Sequence, residues 1–242
     1  LAGIYEKYPN WYSLQQLAQT YSPPAVLFTE IINENTTTKI EINAVDTFRN
    51  SFCQKVLNSV LADIGNIQSL KQTLKGKKFS YVVNLGGYID HSSFSQKGEQ
   101  ILNTHLTGTM NLVSLLRSED LIHFVQIGSS DEYGNINAPQ YENNLEKPFS
   151  PYSYAKFASS QFIKYLYRAE NFPGKVLRPF LIYGPGQEQD RLIPYVIKNA
   201  LNGNSFKVSS GEQLRDFLYI DDAVDVIFKA LTNHDINGEI IN

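Results

Sequence analysis

The sequence is poor in several things at once, and each scarcity excludes something. One cysteine, Cys53, stands in 242 residues, so no internal disulfide can form and a reducing compartment is expected. The four histidines, at 91, 105, 123 and 234, lack the short-range Cys/His spacing of a zinc site, and no metal is expected. Apolar runs extend to only a few residues, against the roughly 20 that a membrane-spanning helix needs. The opening residues, Leu1 to Glu6, lack the basic-then-apolar pattern of a secretory signal. A cytoplasmic protein with no membrane partner is the expectation. Lys and Arg are scattered and the net charge is −3, which gives no basic stripe for nucleic acid. Glycine is also scarce where it matters: none lies between Gly3 and Gly65. The first residue is Leu1 rather than Met, which fits a piece of a longer protein.

What is present is ordinary for a globular chain, 42% apolar and 19% charged, and long enough to bury a full core. Short apolar runs ending in glycine or serine recur at Ser80–Leu85, Leu121–Ile127 and Lys175–Ile182. Such runs fit strands buried on both faces, as in a parallel sheet. Helical patterns fall between them, at Glu99–Leu116 and Tyr152–Glu170, and later at Leu192–Leu201 and Asp222–Leu231. Alternating strands and helices predict an α/β sheet wound in βαβ units, with ligands at the carboxyl ends of the strands. Before residue 58 a helix over Tyr12–Tyr21 and strands at Ala25–Ile31 and Lys39–Val45 are expected. After Tyr183 a turn, a helix and an irregular stretch over Phe206–Phe217 predict the start of a smaller lobe.

The sharpest chemical signal is Ser150-Pro-Tyr152-Ser-Tyr-Ala-Lys156. Residues four apart lie one turn along a helix face, so Tyr152 and Lys156 are neighbours. A phenol ordinarily keeps its proton to about pH 10, and a nearby ammonium is expected to lower that. Tyr154, two residues from Lys156, points elsewhere. The second signal, Gly128-Ser129-Ser130-Asp131-Glu132-Tyr133-Gly134, follows a buried strand and places hydroxyls where a substrate oxygen can be held. Ser, Asp and Gly also suit an ordinary turn there.

Taken in order, these segments resemble the extended short-chain dehydrogenases, a family of nucleotide-sugar epimerases, 4,6-dehydratases and reductases. Leu61-Ala-Asp63-Ile64 resembles the segment that flanks the adenine, and Asn84-Leu85-Gly86-Gly87 the strand end beside the cofactor. Thr107-Gly108-Thr109 resembles a Gly-Thr helix signature. Ser129, Tyr152 and Lys156 fall on the family's catalytic hydroxyl, tyrosine and lysine. Leu177-Arg178-Pro179, Tyr183-Gly184-Pro185-Gly186 and Arg215-Asp216-Phe217 resemble the route into the sugar-nucleotide lobe, where an arginine fork suits phosphate oxygens. The resemblance implies a Rossmann-like doubly wound parallel sheet over 1–182, its first 57 residues divergent or incomplete, with a smaller C-terminal substrate lobe over 183–242. It implies NAD or NADP as cofactor, a nucleotide sugar as substrate and a homodimer. The cofactor-binding candidates are Asp46, Asp63, Ile64, Leu85, Gly86 and Gly87 together with Tyr152 and Lys156, and the substrate-binding candidates are Arg178, Arg191 and Arg215. The chemistry implied is proton transfer between Tyr152 and a sugar hydroxyl while nicotinamide exchanges a hydride with the same carbon.

Two registers of the serine turn differ in what they imply. Without a gap, Ser129 is the catalytic hydroxyl, followed by Ser130 and Asp131, which favours epimerisation or reduction at C4. With one deletion, Ser130 takes that place and Asp131–Glu132 becomes the acid–base pair of a 4,6-dehydratase. The ungapped register is preferred. The family's opening strand and Gly-x-x-Gly-x-x-Gly loop, whose amides hold the pyrophosphate, have no counterpart here. His105 stands where the family usually has Asn. A piece of a longer chain, a divergent cofactor loop, and a non-catalytic sugar-nucleotide-binding module are the three readings of that departure.

Overall fold

The computed structural model describes residues 26–31, 38–43 and 58–242. Nine described strands are β1 (Val26–Ile31), β2 (Thr38–Asn43), β3 (Asn58–Ala62), β4 (Tyr81–Asn84), β5 (His123–Ile127), β6 (Gly174–Leu177), β7 (Leu181–Tyr183), β8 (Phe217–Tyr219) and β9 (Ile240–Ile241). Seven of them form one sheet in the order β3-β2-β1-β4-β5-β6-β9, and β7 pairs with β8 separately. The helices are α1 (Ile67–Leu74), α2 over 94–116, α3 (Pro151–Glu170), α4 (Leu192–Leu201) and α5 (Ile220–Thr232). Within α2 the hydrogen bonding widens to π-type at Phe94–Gly98 and Asn103–Thr107.

Both faces of the central strands are covered, which is why their sequences read as unbroken apolar runs. In β4, Val82 and Val83 point to opposite faces and both are fully buried; in β5, Phe124 and Val125 do the same. Val82 and Phe124 join Leu70, Leu112 and Ile163 from α1, α2 and α3 in one core, while Val83 and Val125 meet Ala230 and Leu231 of α5 in the other. Each such side chain contributes about 1.5–3 kcal/mol of hydrophobic free energy.

From β1 through β4, β5, β6 and β9 the sheet is parallel. At its other side β2 is antiparallel to β1 and to β3. The expected doubly wound parallel pattern holds from β4 onward, and β1–β3, within the part expected to be divergent, form an antiparallel meander. The reason is chain length. β1 ends at Ile31 and β2 begins at Thr38, whereas a parallel crossover takes a dozen residues or more. The expected strands near 25–31 and 39–45 are present over their described residues. The expected helix at Tyr12–Tyr21 lies outside them.

Pro179 ends the strand expected to run on to Ile182, since proline cannot donate to a central ladder; the chain leaves the main sheet there and pairs as β7 with β8. Helix α4 carries no buried residue. The chain then returns through α5, and the two-residue β9 joins β6. In register, Asn84 lies opposite Gln126 and Ile127 opposite Leu177, so β4, β5 and β6 end along one edge.

Candidate active site

That edge is built by two caps. After β5, Ser129 is extended (φ −159°, ψ 145°) and caps the short 3₁₀ turn Ser130–Tyr133. Its hydroxyl accepts from the Asp131 N–H at 3.2 Å, and its own N–H donates to Glu132 Oε1 at 2.8 Å. The Ser130 N–H donates to the Pro179 carbonyl at 3.1 Å, which ties the turn to the end of β6. Across the edge, Ser150 caps α3 by accepting from the Ser153 N–H at 3.1 Å, with Pro151 at the first helical position, where its missing N–H is not needed. Tyr152 and Lys156 follow on the first turns.

The structure brings Ser129, Tyr152 and Lys156 together. Tyr152 is 5% exposed, and burial pushes its phenol up to about 12, with Asp131 and Glu132 adding to the rise and a hydrogen bond with Ser129 opposing it. The expected lowering by Lys156 is not what this arrangement delivers. The Lys156 ammonium donates to the Ile127 carbonyl at 3.0 Å, and burial lowers it to about 8 while the Glu132 carboxylate pulls it back up. Desolvation disfavours both the phenolate and the ammonium, so the resting pair is a neutral phenol beside a weakened cation.

Two histidines flank the Tyr152 ring edge-on, His105 at 5.2 Å and His91 at 5.6 Å between centroids. His105 is buried, with Nε2 3.1 Å from the Tyr88 carbonyl and Nδ1 without a partner. Burial, and then Lys156, lower it to about 3. Gly87 is required next to it: its φ is +152° and a Cβ there would collide with the His105 ring. Leu85 is exposed and Gly86 buried, its N–H bonded to Asn84 Oδ1 at 3.1 Å, so this strand end borders the site beside Lys156.

Glu132 is committed elsewhere. Fully buried, it accepts from Ser129 N–H, from Ser160 Oγ at 3.0 Å and from Arg178 at 3.1 and 2.7 Å. Burial raises its carboxyl, and Arg178 draws it back. Arg178 is a correction to the substrate-binding set. It is 0% exposed, also bonds Glu146 at 3.0 Å and lies 4.4 Å over the Tyr133 ring, so it braces the serine turn and touches no ligand-accessible surface. Glu132, the second member of the acid–base pair in the gapped register, is thus paired with Arg178 in this structure. Asp131 instead is partly exposed, its Oδ2 3.7 Å from His91 Nε2. His91 carried no motif. Only the folding of the β4 loop over α3 places it here.

Asp63 follows β3 and its Oδ1 accepts the Gly65 N–H at 2.8 Å. Ile64 is a core residue, 1% exposed, so its expected cofactor contact is confined to its main chain. Asp46 lies outside the described residues. Arg191 caps α4 and sits 3.5 Å from Glu188, and Arg215 is exposed with Nη1 on the Leu214 carbonyl. Among the described residues no three His, Cys, Asp or Glu side chains gather as a metal site, and no helix is long and apolar enough to cross a membrane.

Comparison with known proteins identifies a family. Residues 27–242 match the model of the NAD dependent epimerase/dehydratase family. A dTDP-D-glucose 4,6-dehydratase from Dictyostelium discoideum is 25% identical over 194 residues, covering 74% of this chain and 44% of that protein. A UDP-glucuronate 4-epimerase from Thermodesulfobacterium geofontis is 29% identical over 163 residues, covering 66% of this chain and 50% of the relative. Among solved structures, the UDP-glucuronic acid 4-epimerase of Bacillus cereus, in complex with UDP-glucuronic acid and NAD, superposes with a TM-score of 0.62 at 27% identity, over 74% of this chain and 57% of that one. The chain spans about half the length of the curated relatives it matches.

Proposed function

The chain belongs to the NAD-dependent epimerase/dehydratase family, and on that premise we propose that it acts at C4 of a nucleotide-linked sugar, as an epimerase or reductase. The observation that carries this is that Ser129, capping the turn after β5, and Tyr152 and Lys156, on the first turns of α3, come together at the ends of β4 and β5, with the Lys156 ammonium on the Ile127 carbonyl at 3.0 Å. NAD or NADP, when bound, supplies hydride exchange at the sugar carbon. The nicotinamide end of such a cofactor suits this edge: Lys156 is a buried cation whose 3.0 Å bond is to a neutral carbonyl, leaving donors for hydroxyl groups. The pyrophosphate end finds less, because β1 pairs antiparallel with β2, where a parallel strand–loop–helix unit would aim amides at phosphates.

The residues of the chain itself then do the following. Ser129 and Tyr152 hold the C4 oxygen between two hydroxyls. Because burial keeps Tyr152 as a phenol, up to about 12, the resting site is set to give a proton to a C4 carbonyl oxygen, the reductive half. Taking a proton from a C4 hydroxyl requires positive charge beside the phenol. Arg191 and Arg215, both exposed on the β7–β8 side, supply forks for the nucleotide phosphates. The same proposal includes a homodimer and a cytoplasmic setting, the former tested by sedimentation and the latter by fractionation of the producing cells.

Incubation with NAD(H) or NADP(H) and UDP-, dTDP-, CDP- and GDP-sugars should yield a C4-altered sugar by mass and NMR. Tyr152→Phe should abolish turnover and leave sugar-nucleotide affinity within about fivefold, since one neutral hydroxyl contributes on the order of 1 kcal/mol or less to ground-state binding. Unchanged turnover in that variant would exclude Tyr152. The antiparallel β1–β3 meander favours a second reading, a sugar-nucleotide-binding module without turnover. Calorimetry separates the two: sugar nucleotide bound with neither dinucleotide bound is the signature of the module.

A further inference from the structure

We propose that His91, held by Asp131, is a second proton-transfer residue of this site, one that removes and returns the proton on a sugar carbon adjacent to a carbonyl. The inference deepens the proposed C4 chemistry and rests on its placement of the sugar carbonyl between Ser129 and Tyr152. His91 comes from the loop after β4, Asp131 from the turn after β5, and the two meet only in the fold, Nε2 to Oδ2 at 3.7 Å. The imidazole sits edge-on to the Tyr152 ring at 5.6 Å, and Asp131 is bonded through its N–H to the Ser129 hydroxyl. Both partners are open to a ligand, with side chains 53% and 37% exposed.

The other titratable groups around the two hydroxyls are buried or paired. Glu132 is locked to Arg178, and Lys156 donates to the Ile127 carbonyl. His105 is buried on the Tyr88 carbonyl. Asp90, next to His91 in sequence, holds Lys97 at 3.2 Å and the Ser92 N–H at 2.8 Å. His91 and Asp131 thus remain as the accessible acid–base pair beside Tyr152.

The chemistry follows from the arrangement. Nε2 faces the Asp131 carboxylate at 3.7 Å, which leaves Nδ1 as the ring nitrogen offered to a substrate proton. A carbonyl whose oxygen is held by the Ser129 and Tyr152 hydroxyls acidifies the neighbouring C–H. That bond breaks, its proton goes to Nδ1, and its electron pair moves onto the carbonyl oxygen as an enolate held by the two hydroxyl donors. Asp131 is a positioning residue, orienting the ring and steadying the imidazolium. The reverse step returns the proton, and no net oxidation or reduction occurs. Such a pair equips the site to exchange the proton on the carbon next to C4.

The test uses a nucleotide-linked 4-keto-6-deoxyhexose in deuterated buffer, with the purified protein and no added cofactor, and follows loss of the C5 proton signal by NMR. The wild-type protein should accelerate the loss, and His91→Ala should slow it by about 100-fold or more, the usual range for a positioned base. Imidazole added to the buffer should restore part of the rate in His91→Ala and change nothing in the wild type, which a packing role for His91 would not produce. Asp131→Asn should slow exchange, and Asp131→Glu should recover it in part. No acceleration by the wild-type protein, a His91→Ala variant at wild-type rate, or a slow variant that imidazole does not rescue, each overturns the proposal. C4 turnover without C5 exchange defeats this inference alone, and exchange without C4 turnover defeats only the C4 proposal.

Discussion

Replacing Glu132 by glutamine separates two roles that its position beside Ser129 invites. As built, Glu132 is a structural anion: no part is exposed, and it accepts from the Ser129 N–H at 2.8 Å, Ser160 Oγ at 3.0 Å and two Arg178 nitrogens at 3.1 and 2.7 Å. Glutamine keeps the shape but loses the charge, and its amide hydrogens must oppose one of those donors. Removing one partner of a buried pair typically costs about 3–5 kcal/mol, because the other charge is left desolvated. Arg178 retains Glu146 at 3.0 Å, so the lower end, about 3 kcal/mol, is expected. For a domain of this size that lowers the melting temperature by roughly 6–12 °C. Urea unfolding should show the midpoint falling with its slope unchanged, and turnover should fall because the loosened turn no longer fixes Ser129. Arg178→Met added to Glu132→Gln should recover part of the lost stability, the mark of a direct pair. A Glu132→Gln protein with the wild-type midpoint but no activity would refute this account and return Glu132 to the role of a free catalytic base.

Lys156→Met should stabilise the protein at pH 7 while removing turnover. The unfolded lysine holds its proton to 10.5 and the folded one releases it near 8, so the buried ammonium is a penalty below pH 8, at most about 3 kcal/mol, and that penalty fades as pH rises to 10.5. Urea midpoints at pH 7 and pH 10 check it; a variant less stable than wild type at pH 7 contradicts it. Arg215→Ala, in an exposed segment, should leave stability within about 0.5 kcal/mol. It should weaken sugar-nucleotide binding by about tenfold or more, the effect of one charge-assisted phosphate contact. Equal calorimetric affinities for wild type and Arg215→Ala would remove Arg215 from the phosphate site.

The sequence alone determined what depends on short spacing. Runs such as Tyr81–Asn84 and His123–Ile127 are apolar on consecutive positions because both sheet faces are covered, and that is readable as a parallel α/β core. The four-residue step from Tyr152 to Lys156, behind the Ser150-Pro151 cap, fixes their shared face through helix geometry. The glycine-free stretch from Ile4 to Ile64 holds no pyrophosphate loop of the usual kind. Only the tertiary structure decided the rest, because it depends on which distant groups compete for the same partner. Arg178 looks like a phosphate ligand until Glu132 and Glu146 are seen to enclose it, and Glu132 looks catalytic until Arg178 is. The Tyr152 phenol, expected to be made acidic by its lysine, is made less so by burial, a property of the packed surroundings rather than of any motif. His91 and Asp131, 40 residues apart in sequence, share no pattern; they become neighbours because adjacent parallel strands end in register and their loops leave the sheet on the same side.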